Sequence, residues 1–319
     1  MSHLGTDESC MPAVEAVVCV PTFRRPAMLE RTLRSLTEQK TSVSFALVVV
    51  DNDAAGRQGL SVAQRVLNGG ALRGQAHVDP QQGNVHAINR AFATALEAYP
   101  TANYFLMIDD DEVAAPDWLD RMVAAARENG CDIVGGPVLP VFEGAGESRH
   151  PVFWPAYSAS GPVPMIYGSG NCLITRRAFE RIGSLFDPKF NFLGGGDTEF
   201  FTRAKIAGLR SFWTHEAVVR EFVGGDRATA LWILKRGLRI GAINYRIDCL
   251  RARGAARLRV LAKNAGVVAF AGYRSMRLFA RGAPLLETLH PLVIALGRWL
   301  AAIGIYPEQY RAKPGAAQS

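Results

Sequence analysis

The sequence predicts an α/β protein with a mainly parallel central sheet flanked by helices, followed by a helical C-terminal extension that is both basic and apolar. Three observations lead there. Short apolar runs alternate with segments of helical period from residue 16 to residue 207. Acidic or hydroxyl-bearing residues close three of those runs. Charge then changes sign: residues 1–225 hold 20 Lys and Arg against 25 Asp and Glu, whereas residues 226–319 hold 16 against 4.

The elements follow in order. Residues 16–20 (AVVCV) form a short apolar run. Pro26 then stands where a first helical turn tolerates it, with Leu29, Leu33 and Leu36 at helical spacing. Residues 46–50 (ALVVV) read as a second buried strand, and Val85, Ile88, Phe92 and Leu96 as a second helical stripe. Residues 104–108 (YFLMI) are a third strand, rich in aromatic and branched side chains. Pro116 opens a helix carrying Leu119, Met122, Val123 and Ala126, and residues 132–134 are a further strand ended by Gly135-Gly136-Pro137. Residues 137–169 are rich in Pro, Gly and aromatics without a period, which predicts a long loop with irregular strands and a place for an acceptor surface. A strand over 171–174, a short helix over 176–182, and a Gly-rich turn over 190–196 entering a helix over 197–207 complete this half. Alternation of this kind gives a parallel sheet with both faces covered.

A chain of 319 residues buries one large α/β core, with or without an appendage. Hydrophobic content of 49% and charged content of 20% exclude a disordered chain. Cys10, Cys19, Cys131, Cys172 and Cys249 are odd in number, far apart and without a CxxC pair, which argues against a disulfide framework or zinc site and for a reducing compartment. Residues 1–14 are polar, carry Asp7 and Glu8, and read as a flexible N-terminus rather than a signal peptide.

The strand at 104–108 runs into Asp109-Asp110-Asp111. Adjacent carboxylates raise the free energy of one another's ionised forms. A hard divalent cation held through carboxylate oxygens, and sharing phosphate oxygens of a substrate, resolves that repulsion. The plainer alternative is a polar strand end capping the next helix, with Glu112 and Asp117 as more of the same. Pro21-Thr22 and Asp51-Asn52 close the first two strands in the same way. The carboxyl ends of parallel strands share one edge, so three distant segments converge on one cleft. Neither GxGxxG nor GxxxxGK[ST] is present, so a Rossmann dinucleotide site of the usual kind and a P-loop are set aside.

These segments resemble, in order over residues 15–245, the family 2 glycosyltransferases of GT-A fold. Val17 to Arg25 is similar to the family's first strand and nucleotide loop, Val48 to Asn52 to its second strand, and Gln82-Gly83-Asn84 through Asn89-Arg90-Ala91 to the helix before the metal strand. Asp109 to Glu112 with Pro116-Asp117-Trp118-Leu119 resembles the D-x-D metal motif and its following helix. Gly168 to Asn171 resembles a Gly-Asn turn before the acceptor-side strand, and Gly194 to Phe200 the Gly-Gly-Glu-Asp-x-Asp/Glu motif. The resemblance implies an inverting transfer from a nucleotide-diphosphate sugar to a hydroxyl of a saccharide or lipid-linked saccharide, assisted by Mn²⁺ or Mg²⁺. It implies Asp197 as base, Asp109 and Asp111 as metal ligands, and Pro21, Thr22, Arg24, Asp51, Asn52, Asn89, Asp109 and Asp110 around the nucleotide sugar. Asn171, Gly195, Gly196 and Glu199 fall on the acceptor side. The sequence departs from the pattern twice: Gly196 stands where a Glu usually precedes the base, and Arg220-Glu221 stands where some members carry a metal-binding His, leaving Glu221 as its candidate replacement. Taken alone, Asp197 also reads as a helix N-cap, and Asp51 as a turn residue. Trp154, Tyr157 and Tyr167 read either as sugar-stacking or as packing aromatics. A metal-dependent nucleotidyltransferase and a non-catalytic nucleotide-sugar-binding protein are the competing functions.

In the region 226–319, Lys235, Arg239, Arg246, Arg253 and Arg257 fall within an arc of about 40° if one helix runs through. By charge alone the partner is lipid headgroups or nucleic acid. The apolar segments 267–273 and 285–306, interrupted by Glu287, His290 and Arg298, are poor membrane-crossing helices and suit helices lying on a membrane surface. With the resemblance, no nucleic-acid partner is expected, and the chain is expected in the cytoplasm, peripheral on the inner face of the cell membrane. A helical subdomain packed on the core is the alternative.

Overall fold

A computed structural model of the protein describes residues 13–142, 157–224, 227, 229–252 and 254–306. The expected flexible segment 1–14 lies almost wholly outside these, as do Trp154 and Arg253. The chain begins with β1 (Ala16–Thr22), α1 (Pro26–Thr37), β2 (Phe45–Asp51), α2 (Gln58–Asn68), β3 (Arg73–Val78), α3 (Asn84–Ala98) and β4 (Tyr104–Ile108). It continues through β5 (Glu112–Ala114), α4 (Trp118–Asn129), β6 (Ile133–Gly135), β7 (Val138–Phe142), β8 (Gly161–Val163), β9 (Asn171–Thr175), α5 (Arg176–Ile182) and α6 (Gly196–Ile206). Two short strands, β10 (Ser211–Trp213) and β11 (Val219–Val223), precede α7 (Ala230–Leu250), α8 (Ala256–Ala280) and α9 (Leu285–Ala302).

Eight strands form one sheet in the order β3-β2-β1-β4-β9-β6-β10-β8. Six run one way; β9 and β8 run against them. Successive residues of β1 face opposite sides, so Val17 and Cys19 join one core with Phe92, Phe105 and Phe200, while Val18 and Val20 join the other with Leu33, Trp118 and Leu119. The rings of Phe92, Phe186 and Phe200 stack, with centroids 6.0 and 4.7 Å apart, and tie α3 to α6.

Three features of the fold lie outside the sequence reading. First, α2 and β3 have no counterpart in it. β3 is an edge strand with Arg73, Gln75 and His77, so it lacks the apolar run that marks a doubly buried strand. Second, α4 begins at Trp118 rather than at Pro116, which lies in the preceding turn. Third, β9 enters the sheet antiparallel, with Asn171 opposite Ile108. That reversal carries the Gly168-Ser169-Gly170 turn to the carboxyl edge of the parallel strands, next to the acidic run. A second sheet, β5-β11-β7, sets Glu221 opposite Glu112.

A single helix through Lys235 and Arg257 does not form. α7 ends at Leu250, Gly254 takes a left-handed φ of +55°, and α8 starts at Ala256. Arg239 is buried, and the Arg246 guanidinium lies over the rings of Phe190 and Tyr306, so these cations share no solvent face. α7 packs Ala242, Ile243 and Ile247 onto Phe190 and Leu193, the turn that leads into α6. α9 is, among the described residues, the one helix long and apolar enough by length and composition to cross a membrane. Its Arg298, however, is 3% exposed, bonding Asp248 of α7 at 2.7 Å and Asn264 of α8 at 2.8 Å.

At the α7–α9 crossing a Cβ on Gly297 would overlap the backbone of Leu238, and one on Gly241 the backbone of Ile294. The two backbones touch because both positions lack side chains. Gly297→Val is expected to cost at least about 3 kcal/mol, the upper range of overpacking, because backbone rather than a flexible side chain must move. Thermal melting checks this; an unchanged midpoint would mean the helices separate without cost.

Candidate active site

The acidic run leaves β4 at the carboxyl edge of the sheet and is gripped from β1 and α1. Thr22 Oγ1 donates to Asp110 Oδ2 at 2.7 Å, and the Phe23 backbone N–H donates to the same oxygen at 3.3 Å. Thr32 Oγ1 donates to the carbonyls of Asp110 and Glu112 at 2.9 and 2.7 Å. Glu112 Oε2 accepts from the Asp109 N–H at 3.0 Å, and the Phe222 N–H bonds the Asp111 carbonyl at 2.9 Å. Two arginines answer the negative charge. Arg25 Nη1 lies 2.7 Å from Asp111 Oδ2 and 3.2 Å from Asp110 Oδ1. Arg227 Nη1 lies 3.0 Å from Glu221 and 3.7 Å from Asp111.

Crowding dominates the electrostatics. Burial, then the fields of Asp111, Asp110 and Glu221, push the Asp109 carboxyl well above its usual range. Burial and Asp109 do the same to Glu112. Asp110 is also raised by burial, although Arg25 opposes this. For Arg25, burial works against the charge, and Asp110 and Asp111 more than restore it.

Asp197 approaches from the other side. It is the second residue of α6, whose N-cap is Gly195 without a side-chain cap bond, so Asp197 is not the cap. Thr198 Oγ1 lies 3.4 Å from its carboxylate, the field of Arg236 in α7 reaches it, and part of its surface stays open. Burial raises its carboxyl above the usual range. Burial and then the fields of Asp109, Asp197 and Glu112 push the Cys172 thiol, in β9, well above its usual range. Gly170 passes close to the acidic run: a Cβ there would lie 2.5 Å from Glu112 Oε1 and 2.8 Å from Asp109 Oδ2.

The structure gives several expected contact residues internal work. Pro21 and Thr22 close β1 opposite Val50 and Asp51. The buried Asp51 carboxylate accepts from the N–H groups of Asp53 and Leu60, both at 2.9 Å. Asn52 bonds the carbonyls of Asp79 and Gln81 and the N–H of Gly83. Asn89 pins Phe186 through both its N–H and its carbonyl. Asn171 is saturated by Trp118, Pro137 and Ala217. Glu199 is buried and paired with Arg203 at 2.9 Å and Arg251 at 3.7 Å. Arg24, half exposed with a left-handed φ of 55°, pairs with Asp53 at 3.1 Å. Gly195 (φ +84°) lies where a Cβ would overlap Ile243, and a Cβ on Gly196 would stand 3.0 Å from Val85 Cγ2. Tyr157 meets Trp213 edge-on and donates to the Met165 carbonyl, so it is a packing aromatic. Sequence reasoning did not single out Arg25, Arg227 or Gly170. Only the Arg-Arg pair ahead of Pro26 hinted at the first.

The donors around Asp109, Asp111 and Glu221 are all carboxylate oxygens, the chemistry a Mn²⁺- or Mg²⁺-like ion prefers. Among the described residues no three His, Cys, Asp or Glu side chains are grouped so that they could hold a metal ion by themselves.

A large, mostly parallel sheet with an acidic run at the carboxyl end of a central strand is an architecture that this chain shares with known proteins. Residues 17–183 match the family described as Glycosyl transferase family 2, more than half of the chain, so the protein belongs to that family and is a glycosyltransferase. Over 255 residues it is 31% identical to the succinoglycan biosynthesis protein ExoM of Rhizobium meliloti (strain 1021), covering 76% of this chain and 77% of that protein. The fold is similar to that of the mannosyltransferase PcManGT from Pyrobaculum calidifontis, solved with GDP-Man and Mn²⁺ (TM-score 0.59, 17% identity, 90% and 87% of the two chains). It is also similar to S. aureus TarS 1-349 in complex with UDP-GlcNAc (TM-score 0.54, 14% identity, 94% and 97%).

Proposed function

We propose that the protein is an inverting glycosyltransferase that moves a sugar from a nucleotide-diphosphate donor to a hydroxyl of a saccharide in polysaccharide assembly. The acidic run at the carboxyl end of β4, set beside Glu221 and met by Arg25 and Arg227, carries this reading, because it offers carboxylate oxygens for a cation and positive charge for a diphosphate on one edge of the sheet. Asp197 accepts the proton of the acceptor hydroxyl, whose oxygen attacks the anomeric carbon. The bond from that carbon to the diphosphate oxygen breaks, and the nucleoside diphosphate leaves. One base and no nucleophile means one displacement and inversion. Asp109 and Asp111 would hold the divalent cation, with Glu221 beside them, and the cation supplies Lewis-acid charge to the leaving group. Arg25 and Arg227, both bonded to Asp111, add positive charge at the same place. Thr22 and Asp110 position the loop after β1 against the donor, and residues 15–225 constitute the catalytic domain. A lipid-linked acceptor on the inner face of the cell membrane fits the basic, apolar helices that follow.

The test is to incubate the protein with Mn²⁺ or Mg²⁺ and a panel of nucleotide sugars. One donor is expected to raise the melting midpoint and to be slowly hydrolysed only with metal. Binding with neither hydrolysis nor transfer to an added saccharide would instead mark a non-catalytic binder. Retained anomeric configuration in a transferred product would overturn the single displacement.

A further inference from the structure

The helix α8 has three faces. At about 100° per residue, its buried residues Val260, Asn264, Ala271 and Ser275 fall within about 60°, a narrow strip of small or polar side chains turned toward α9. Leu258, Leu261, Val268, Tyr273, Met276 and Phe279 occupy a separate sector of about 140°. All are exposed; Met276 and Phe279 are 67% and 74% exposed. Arg259, Lys263, Arg274, Arg277 and the C-capping Arg281 fall in a third sector of about 60°, joined by Phe270. The helix contains no acidic residue. Against it lies α9, whose Leu285, Leu289, Leu292, Leu296 and Trp299 form an exposed row at spacings of three and four. Such contiguous apolar exposure marks an interaction surface.

We propose that this face of α8, supported by the exposed row of α9, docks in the headgroup–acyl boundary of an anionic bilayer, with α8 lying in the membrane plane. This deepens the lipid-linked part of the proposed function and rests on that reading for its purpose. An apolar sector bordered by a basic one suits acyl chains beside phosphate headgroups. A second copy is the poorer occupant, since a two-fold contact through this face brings two arginine rims together. A span across the bilayer would bury the cations of α8 in hydrocarbon. Arg298 with Asp248 and Asn264, and Lys263 with Asp248 at 2.7 Å, tie α8 to α7 and α9. The docked face is therefore held relative to the turn that carries Asp197.

Flotation of the full chain with phosphatidylcholine vesicles, and with mixed phosphatidylglycerol–phosphatidylcholine vesicles, tests this. The parent is expected to float with the mixed vesicles at least tenfold more than with neutral ones at low salt, and to retain part of that binding at high salt. The double variant M276D/F279D, at exposed sites, is expected to lose at least tenfold of the binding. R274Q/R277Q is expected to weaken only the salt-sensitive part. Ile206→Asp, an exposed apolar site on α6, is the control and floats as the parent does. A parent that stays unbound to mixed vesicles at low salt overturns the proposal. So does M276D/F279D floating like the parent, or a parent dimer that the same double variant dissociates. Donor hydrolysis is measured on each sample: a parent that hydrolyses donor but does not float sinks the docking surface alone, and a parent that floats without hydrolysing donor sinks the transferase reading alone.

Discussion

Asp197→Asn is expected to bind donor normally and to transfer sugar about 10²-fold or more slowly, the typical worth of a positioned general base. The amide keeps the shape and the Thr198 contact at 3.4 Å but accepts no proton at neutral pH. Because Gly195, not Asp197, caps α6, the substitution leaves the helix start as it is. Two further signatures separate a base from a merely structural carboxylate. Burial raises the Asp197 carboxyl, so the acid limb of kcat/KM in the parent should lie above the ordinary carboxylate range near about 4. As pH falls through that raised value the group takes up a proton and transfer stops. Stability runs the other way. The folded chain holds this proton more tightly than the unfolded chain does. The contribution to folding is therefore complete below the unfolded value and lost as pH rises through the folded one. Asp197→Asn removes that loss, so the variant should melt no lower, and slightly higher, at neutral pH. Transfer within a few-fold of the parent would place the base elsewhere.

What was legible in the sequence follows burial. β1, β2, β4 and β9 are covered on both faces and appear as continuous apolar runs. β3 lies at the edge and keeps polar side chains, while β5, β8 and β10 have three residues each, too few for a period. The acidic run and Asp197 announce themselves by type and context. The arginines that answer them do not. Arg227 meets Asp111 because β11 pairs with β5, a contact between segments far apart in sequence that leaves no local mark. Asparagines were the least readable residues. Asn52, Asn89 and Asn171 look like ligand contacts in sequence, yet each spends its amide on backbone or on Trp118. A staple and a contact require the same residue type, and only the distances separate them. In the tail the left-handed turn at Gly254, the glycine at which a single helix would break, divides the basic residues between two helices.

Asp111→Asn is expected to leave the fold intact and to weaken metal-dependent donor binding by more than tenfold. Several bonds hold this segment without the Asp111 carboxylate: Phe222 N–H to the Asp111 carbonyl, and Thr32 to the carbonyls on either side. Removing one charge from a crowded set also relieves Asp109, whose ionised form Asp111 opposes more than any other neighbour does. The metal-free variant should therefore melt within a few degrees of the parent. The loss falls on the ligand. A partner one bond removed from a metal typically costs about 10–100-fold in affinity when replaced, and a direct carboxylate oxygen should cost at least as much. Arg25 keeps Asp110 at 3.2 Å and Arg227 keeps Glu221 at 3.0 Å, so neither cation is left stranded to confuse the result. Calorimetric titration of the donor with and without Mn²⁺ reads the effect directly. A parent whose affinity rises with metal, beside a variant whose affinity is the same in both buffers, is the expected pair. If metal strengthens donor binding equally in both proteins, Asp111 serves Arg25 and Arg227 rather than the cation, and the arginines themselves become the counter-charge of the diphosphate.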